Sequence, residues 1–144
     1  MEGLTASFAA GQATRAKGLR NGYMDRVVLV SKDWQTRALL CAQLLEEGID
    51  AAAYESAGEV IENFGQSPSL PALLIADLAA SNDPAGEAEW LATWAGQVPT
   101  WIIASHSLIV DKKLNGRGFE VILFRPIDVG EVVEQIKRRL EKDI

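Results

Sequence analysis

The sequence of 144 residues predicts one α/β domain, a doubly wound parallel sheet of five strands in the order 2-1-3-4-5. Two observations support this class. Short apolar runs alternate five times with stretches that have helical periodicity. The runs are continuously apolar instead of alternating, as in strands whose two faces are both covered by helices. Each connection is long enough for a right-handed crossover between parallel strands.

The predicted strands are short runs rich in valine, isoleucine, leucine or aromatic residues, and glycine, proline or aspartate interrupts the chain beside most of them. They are residues 26–30, 50–54, 72–76, 100–104 and 119–124. In such a sheet, sites form at the carboxyl ends of the strands. We therefore expect the functional residues just after these runs.

Helix signals follow each predicted strand, over residues 33–47, 56–64, 87–96, 107–115 and from 129 onward. Ser56 with Glu59, and Asp128 with Glu131, have the spacing of capping boxes. The last helix has the clearest apolar stripe, formed by Val129, Val132, Val133, Ile136 and Leu140. In the first helix we expect the buried face to hold Trp34, Ala38, Cys41, Ala42 and Leu45, and Gly48 to end the helix.

The chain is acidic, with a formal net charge of −6, and it contains one cysteine. An acidic domain lacks the clustered cations that phosphate contacts need, so we expect protein partners and no nucleic-acid binding. A single cysteine favours a reduced, cytoplasmic setting. No apolar run approaches the roughly 20 residues of a membrane helix, so we expect no membrane contact.

Residues 1–24 differ in composition from the rest, with four glycines and with cations at Arg15, Lys17 and Arg20. We interpret residues 1–24 as a flexible tail and residues 25–144 as the folded domain. Met24 is an alternative start. A transit peptide is an alternative reading of the basic segment.

Four pieces of the sequence, VVLVSKD, LLIAD, PTWIIAS and FEVILFRP, follow one another at the ends of the first, third, fourth and fifth predicted strands. In this order and spacing they resemble the receiver domains of response regulators in two-component signalling, over residues 25–141. The resemblance implies a flavodoxin-like (βα)5 fold. It also implies a site for phosphorylation on aspartate.

The resemblance assigns Asp77, which follows the third strand, to the phosphoacceptor position. The acidic pair with which receivers hold Mg²⁺ falls on Ser31 and Lys32, so both carboxylates are missing. Asp33 lies one position further and, with Asp77, is a weak candidate ligand. Because Mg²⁺ prefers carboxylate oxygens, we expect impaired Mg²⁺ binding and no cofactor. Mg²⁺ would be needed only if phosphorylation is retained.

At the fourth and fifth strands, the receiver pattern has a hydroxyl residue and a lysine followed by proline. The hydroxyl position falls on Ala104, with Ser105 next to it, and the lysine position falls on Arg125, before Pro126. We expect Asp77 to be an ion-paired carboxylate held by Lys32 or Arg125. In this interpretation Lys32 places an ammonium group where the metal would lie.

The sequence therefore predicts a degenerate receiver, not an enzyme, that acts as a protein–protein interaction module through its last two helices. Its partner would be a histidine kinase, an output domain or another signalling protein, and a homodimer is possible. The first alternative is a conventional receiver phosphorylated on Asp77. A remote alternative is a flavodoxin-like cofactor-binding enzyme, which lacks support from any glycine-rich loop or Ser-His-Asp set.

The remaining aromatic and nucleophilic residues have structural interpretations. His106, the only histidine, is expected on an exposed loop, and Cys41 is expected to be buried in the first helix. Trp34 and Trp101 are expected in core or rim packing. Trp90 and Trp94 share one helix face, where we expect at least one to pack on the sheet; if both were exposed, they would mark a partner surface.

Overall fold

The computed structural model describes residues 27–64, 70–106, 114 and 116–141, with backbone only for 61–64. Within this part of the chain, five parallel strands form one sheet in the order β2-β1-β3-β4-β5, which confirms the predicted fold. The strands are β1 (Val27–Val30), β2 (Ala51–Tyr54), β3 (Leu73–Asp77), β4 (Thr100–Ala104) and β5 (Val121–Phe124).

Helices connect the strands along the described ranges. They are α1 (Trp34–Glu46), α2 (Ala57–Phe64), a short 3-10 helix (Leu78–Ala80), α3 (Pro84–Trp94) and α4 (Val129–Glu141). Residues 1–24 and nearly all of the predicted helix 107–115 lie outside the described residues, so the predicted tail and that helix remain predictions. No described helix has the length and apolar character needed to cross a bilayer.

The sheet separates two apolar cores, and alternate strand residues enter opposite cores. Val28 and Val30 of β1 belong to the core that includes Leu91 of α3, which we call the α3 core. Val27 and Leu29 belong to the core shared with α1 and α4, which we call the α1–α4 core. This alternation continues past the strand ends and so decides which side chains meet at the site.

The predicted buried face of α1 is wrong. Trp34 is 65% exposed, Ala38 and Ala42 are also exposed, and Cys41 and Leu45 are partly buried. The buried residues of α1 are instead Thr36, Leu40 and Leu44. Both faces of this helix are apolar, so helical periodicity alone does not select the face that packs on the sheet.

The start of α3 also differs from the prediction. The helix begins at Pro84, three residues before the expected start, because Asp83 caps it: the Asp83 carboxylate accepts a hydrogen bond from the Gly86 N–H at 3.1 Å. Proline at the first helical position suits this start, since its missing N–H would be unpaired there.

The two predicted caps, Ser56 and Asp128, are present. The Ser56 hydroxyl accepts from the Glu59 N–H, while the Glu59 carboxylate accepts from Glu55 N–H and not from the Ser56 N–H that a standard box would use. Asp128 accepts from the Glu131 N–H at 3.1 Å. The apolar stripe of α4 is confirmed by the burial of Val132, Val133, Ile136 and Leu140.

The tryptophans divide between core and surface. Trp101 is 2% exposed, which confirms its predicted core position, whereas the prediction of core or rim packing for Trp34 is wrong. Trp90 and Trp94 contact each other with ring centroids 5.8 Å apart, and both are partly buried against the α3 core. They are therefore not a fully exposed aromatic pair.

Candidate functional site

The carboxyl ends of β1 and β3 bring Ser31 and Asp77 together. The two strands pair in parallel with Val30 opposite Ala76, so the next residues on each strand are neighbours. Both residues continue the alternation that leads into the α1–α4 core. The Ser31 hydroxyl donates a hydrogen bond to Asp77 Oδ2 at 2.8 Å. The residue at the missing carboxylate position is thus a neutral donor to the phosphoacceptor position.

Asp77 is a buried carboxylate, with 2% of its surface exposed. Its Oδ2 accepts hydrogen bonds from Ser31 and from Arg125 Nη2, the latter at 2.5 Å. Its Oδ1 is buried and has no hydrogen-bond partner among the described residues. Oδ2 therefore accepts two hydrogen bonds, whereas Oδ1 is shielded from solvent.

Arg125 follows β5 and is fixed to β4 by its own backbone, since its N–H donates to the Ala104 carbonyl at 3.0 Å. Beyond Asp77, its Nη2 also contacts Thr36 Oγ1 at 2.7 Å and Asp33 Oδ2 at 3.3 Å. One guanidinium nitrogen thus joins β3, β5 and the start of α1. The hydrogen bond to Asp77 raises the pKa of Arg125 further, which keeps this group cationic throughout the working pH range.

Asp33 is the N-cap of α1 and also the second carboxylate of the site. It accepts hydrogen bonds from the Gln35 N–H at 3.0 Å and from Thr36 Oγ1 at 2.8 Å. Burial raises the pKa of Asp33, but these hydrogen bonds and the charge of Arg125 outweigh burial, so its pKa lies below the ordinary value of 3.8. Asp33 is therefore ionised and paired at neutral pH.

The structure does not bring Lys32 to Asp77, which corrects the expectation that its ammonium replaces the metal. Lys32 is exposed, and it continues the strand alternation toward the α3 core. Its charge acts on Glu87 of α3, whose pKa is raised by burial and partly lowered by a hydrogen bond from Ser81 and by Lys32. Among the described residues, the cation at Asp77 is Arg125 alone.

The end of β4 contributes less to the site than its position in the sequence indicates. Ala104 is fully buried in the α3 core, and Ser105 is partly buried beside it. His106 is exposed, as predicted, and its ring stacks on Phe124 with centroids 5.2 Å apart and planes 9° apart. Pro126 is exposed and follows Arg125 through a cis peptide bond.

Two further residues of the site were not predicted. Thr36 is 7% exposed, and its hydroxyl links Asp33 to Arg125. Arg37 donates from Nη1 to the Ser31 carbonyl at 2.6 Å. The signal for Thr36 is its place three residues after the Asp33 cap, which brings its hydroxyl back to the capping carboxylate. Nothing in the sequence pattern identifies Arg37.

The residues of the site do not fit a bound Mg²⁺. Mg²⁺ needs nearly octahedral oxygen ligands and is usually held by carboxylates. Here the two carboxylates, Asp33 and Asp77, share a guanidinium nitrogen, and the position of the second acidic residue holds Ser31, which donates. Within the described part of the chain no three His, Cys, Asp or Glu residues cluster in a way that could hold a metal.

Comparison with known proteins gives matches at the level of structure only. No family model and no curated protein matches the sequence. A response regulator receiver protein from Burkholderia phymatum superposes with a TM-score of 0.66 at 23% identity, covering 80% of this chain and 94% of that chain. A CheY-like response regulator receiver domain protein from Methanospirillum hungatei JF-1 superposes with a TM-score of 0.67 at 17% identity, covering 82% and 94%.

The chain has the fold of response-regulator receiver domains. The match extends over nearly the whole of the receiver structures. The strand order 2-1-3-4-5 of this chain is the one that flavodoxin-like sheets have. An adenylate cyclase from Rhodopirellula baltica also superposes, with a TM-score of 0.65 at 12% identity over 81% of this chain and 87% of that chain. The receiver fold therefore does not by itself fix an activity, and function has to be argued from the site.

Proposed function

We propose that this chain is a receiver-type signalling module of two-component type that acts by binding a protein partner and does not cycle through phosphorylation. The single observation that carries the proposal is the contact of Arg125 Nη2 with Asp77, Asp33 and Thr36. This contact places a permanent positive charge between the two carboxylates that a metal would need.

Phosphoryl transfer to an aspartate depends on a metal that neutralises the charge building up on the phosphoryl oxygens. In this chain the compensating positive charge is the Arg125 guanidinium, which donates a hydrogen bond to the acceptor oxygen, Asp77 Oδ2. The acceptor is also 2% exposed, and Ser31 donates to the same oxygen. We infer that Asp77 stabilises one conformation of the strand ends and that the partner recognises this conformation directly.

The partner is proposed to be a protein, such as a histidine kinase or an output domain. The chain carries a net charge of −6, which disfavours binding to nucleic acid. The surface predicted for this contact is formed by the last two predicted helices. It includes residues outside the described ranges and remains a prediction.

Incubation with Mg²⁺ and a small-molecule phosphodonor, followed by intact-mass measurement, tests the proposal. We expect no phosphoryl adduct on the wild type. A receiver that is known to phosphorylate itself from the same donor serves as the positive control. An adduct that forms on the wild type and disappears in Asp77→Asn contradicts the proposal.

The second candidate is a conventional receiver phosphorylated on Asp77, with Asp33 as a metal ligand. The observation in its favour is Asp77 Oδ1, a buried carboxylate oxygen without a hydrogen-bond partner among the described residues. An unpaired oxygen of this kind is costly unless a water, an ion or a reaction makes use of it. The same intact-mass experiment decides between the two candidates.

A further inference from the structure

The outer face of α1 is apolar and uncovered in the described structure. Exposed residues on this side of the helix are Trp34, Gln35, Ala38, Leu39, Ala42 and Glu46. Trp34 is 65% exposed and Leu39 is 53% exposed, and they are two of the three large apolar side chains exposed in the described ranges. We call this surface, formed by Trp34, Ala38, Leu39 and Ala42, the α1 face.

The neighbouring helix of the same core shows what an ordinary solvent-facing side looks like in this chain. The exposed residues of α4 include Glu131, Glu134, Arg138 and Glu141, which are all charged. On α1 the corresponding side holds a single charged residue, Glu46, at its last position. A helix that is apolar on both sides is typical of a helix covered on both sides.

We propose that the α1 face is the docking surface for the chain's own N-terminal segment, residues 1–24. Charge supports this occupant. Residues 1–26 carry a net charge of +2, against −6 for the whole chain, which leaves −8 on residues 27–144. Between residues 3 and 24 the only charged residues are Arg15, Lys17 and Arg20.

The point where the segment joins the domain supports the same occupant. The segment continues into Val27, whose N–H donates to the Asp50 carbonyl at 3.1 Å, at the edge of the sheet where α1 ends. Glu46 lies exposed at this end of α1. The three cations lie nearer in sequence to Val27 than Leu4 and Phe8 do, so they are the charged part of the segment that can lie near Glu46.

The length and the order of residues also agree. The helix α1 has 13 residues and is about 20 Å long. Twenty-four residues span this length as a helix, which rises about 1.5 Å per residue, and also as an extended chain. The uncharged part of the segment, which contains Leu4 and Phe8, comes before the cations, and in this proposal it is the part that covers the α1 face. Apolar contact there would remove Trp34 and Leu39 from water.

Paramagnetic relaxation in the full chain tests the proposal. A nitroxide label on Ser7→Cys, in a Cys41→Ser background, should broaden the backbone amides of Ala38, Leu39 and Ala42. The broadening should disappear in Leu39→Glu, which places a charge on the face. It should persist in Ala85→Glu, a matched variant at an exposed position of α3.

A mixing experiment separates the alternatives. Chains that carry the nitroxide but no ¹⁵N are mixed with ¹⁵N chains that carry no nitroxide. Amide broadening in this mixture would show that a second copy covers the face. That result overturns the proposal, as does the absence of broadening on α1 in the singly labelled chain. Broadening that appears only when the nitroxide and ¹⁵N are on the same chain supports the proposal. A charge exchange gives a second test: Arg20→Glu alone should weaken the broadening, and Arg20→Glu combined with Glu46→Arg should restore it.

Discussion

Arg125 holds three parts of the chain together through one nitrogen atom. Its Nη2 contacts Asp77 after β3, Asp33 before α1 and Thr36 within α1. The Arg125 side chain is 31% exposed, whereas the Asp77 side chain is 1% exposed. The burial is therefore unequal, and the cost of losing the pair falls on the carboxylate, which has no access to water.

Replacement of Arg125 by methionine should destabilise the fold by about 2–4 kcal/mol, because it leaves a buried carboxylate without its cation. Asp77→Asn should cost less, since a partly exposed guanidinium can be hydrated. In the Asp77→Asn background, Arg125→Met should therefore cost much less than in the wild type. Urea unfolding of the four proteins measures this coupling, and additive free energies would contradict the account.

Asp33 predicts a pH dependence of stability. Because its pKa is lowered in the folded state, the unfolded chain binds more protons, and stability falls as the pH drops below 3.8 toward the lowered pKa. The stabilisation that Asp33 contributes is fully present at pH values well above its ordinary pKa of 3.8. Asp33→Asn keeps an N-cap but removes the titration, so its stability should fall less steeply between about pH 5 and pH 2.

The matched control for this measurement is Asp83→Asn. Asp83 also caps a helix through its carboxylate, but it is exposed and its described contacts include no cation. Its stability curve should follow that of the wild type. If the Asp33→Asn curve also follows the wild type, the pairing of Asp33 with Thr36 and Arg125 does not contribute to stability.

Helix starts illustrate how much of each element the sequence predicts. Ser56 and Asp128 cap helices where expected, because a hydroxyl or carboxylate three residues before an acidic residue has a specific geometry. The Asp83 cap is not among the predicted helix starts, although the proline that follows it suits the first helical position. Periodicity does not predict the buried face of α1, because the helix has apolar residues of its own on both sides.

Two glycines in helices should respond oppositely to alanine. Among the described residues, a Cβ at Gly58 would meet only Ser56 Oγ, at 3.7 Å, so Gly58→Ala should stabilise the fold by about 0.5–1 kcal/mol. A Cβ at Gly86 would overlap the Asp83 carboxylate that caps α3. Gly86→Ala should therefore bring no gain or a loss. Thermal unfolding of both variants compares them, and equal stabilisation would show that the Asp83 cap contributes little.

Across the whole molecule, the topology followed from the sequence and the site followed only in part. Alternation of strands and helices predicted the sheet order, and the sheet order predicted that residues at the strand ends would meet. The sequence offers both Lys32 and Arg125 as the cation near Asp77, and only Arg125 pairs with it, because side chains alternate along a strand. Ser31 continues the side of β1 that leads to Asp77, and Lys32 continues the opposite side.

In the proposed function, Arg125 takes the place of a metal ion at the strand ends. A titration with Mg²⁺, followed by the backbone amide shifts of Asp33 and Asp77, tests it most directly. We predict no saturable shift in the wild type. Saturable shifts at these amides, lost in Asp77→Asn, would show that the guanidinium yields to the metal and would contradict the account.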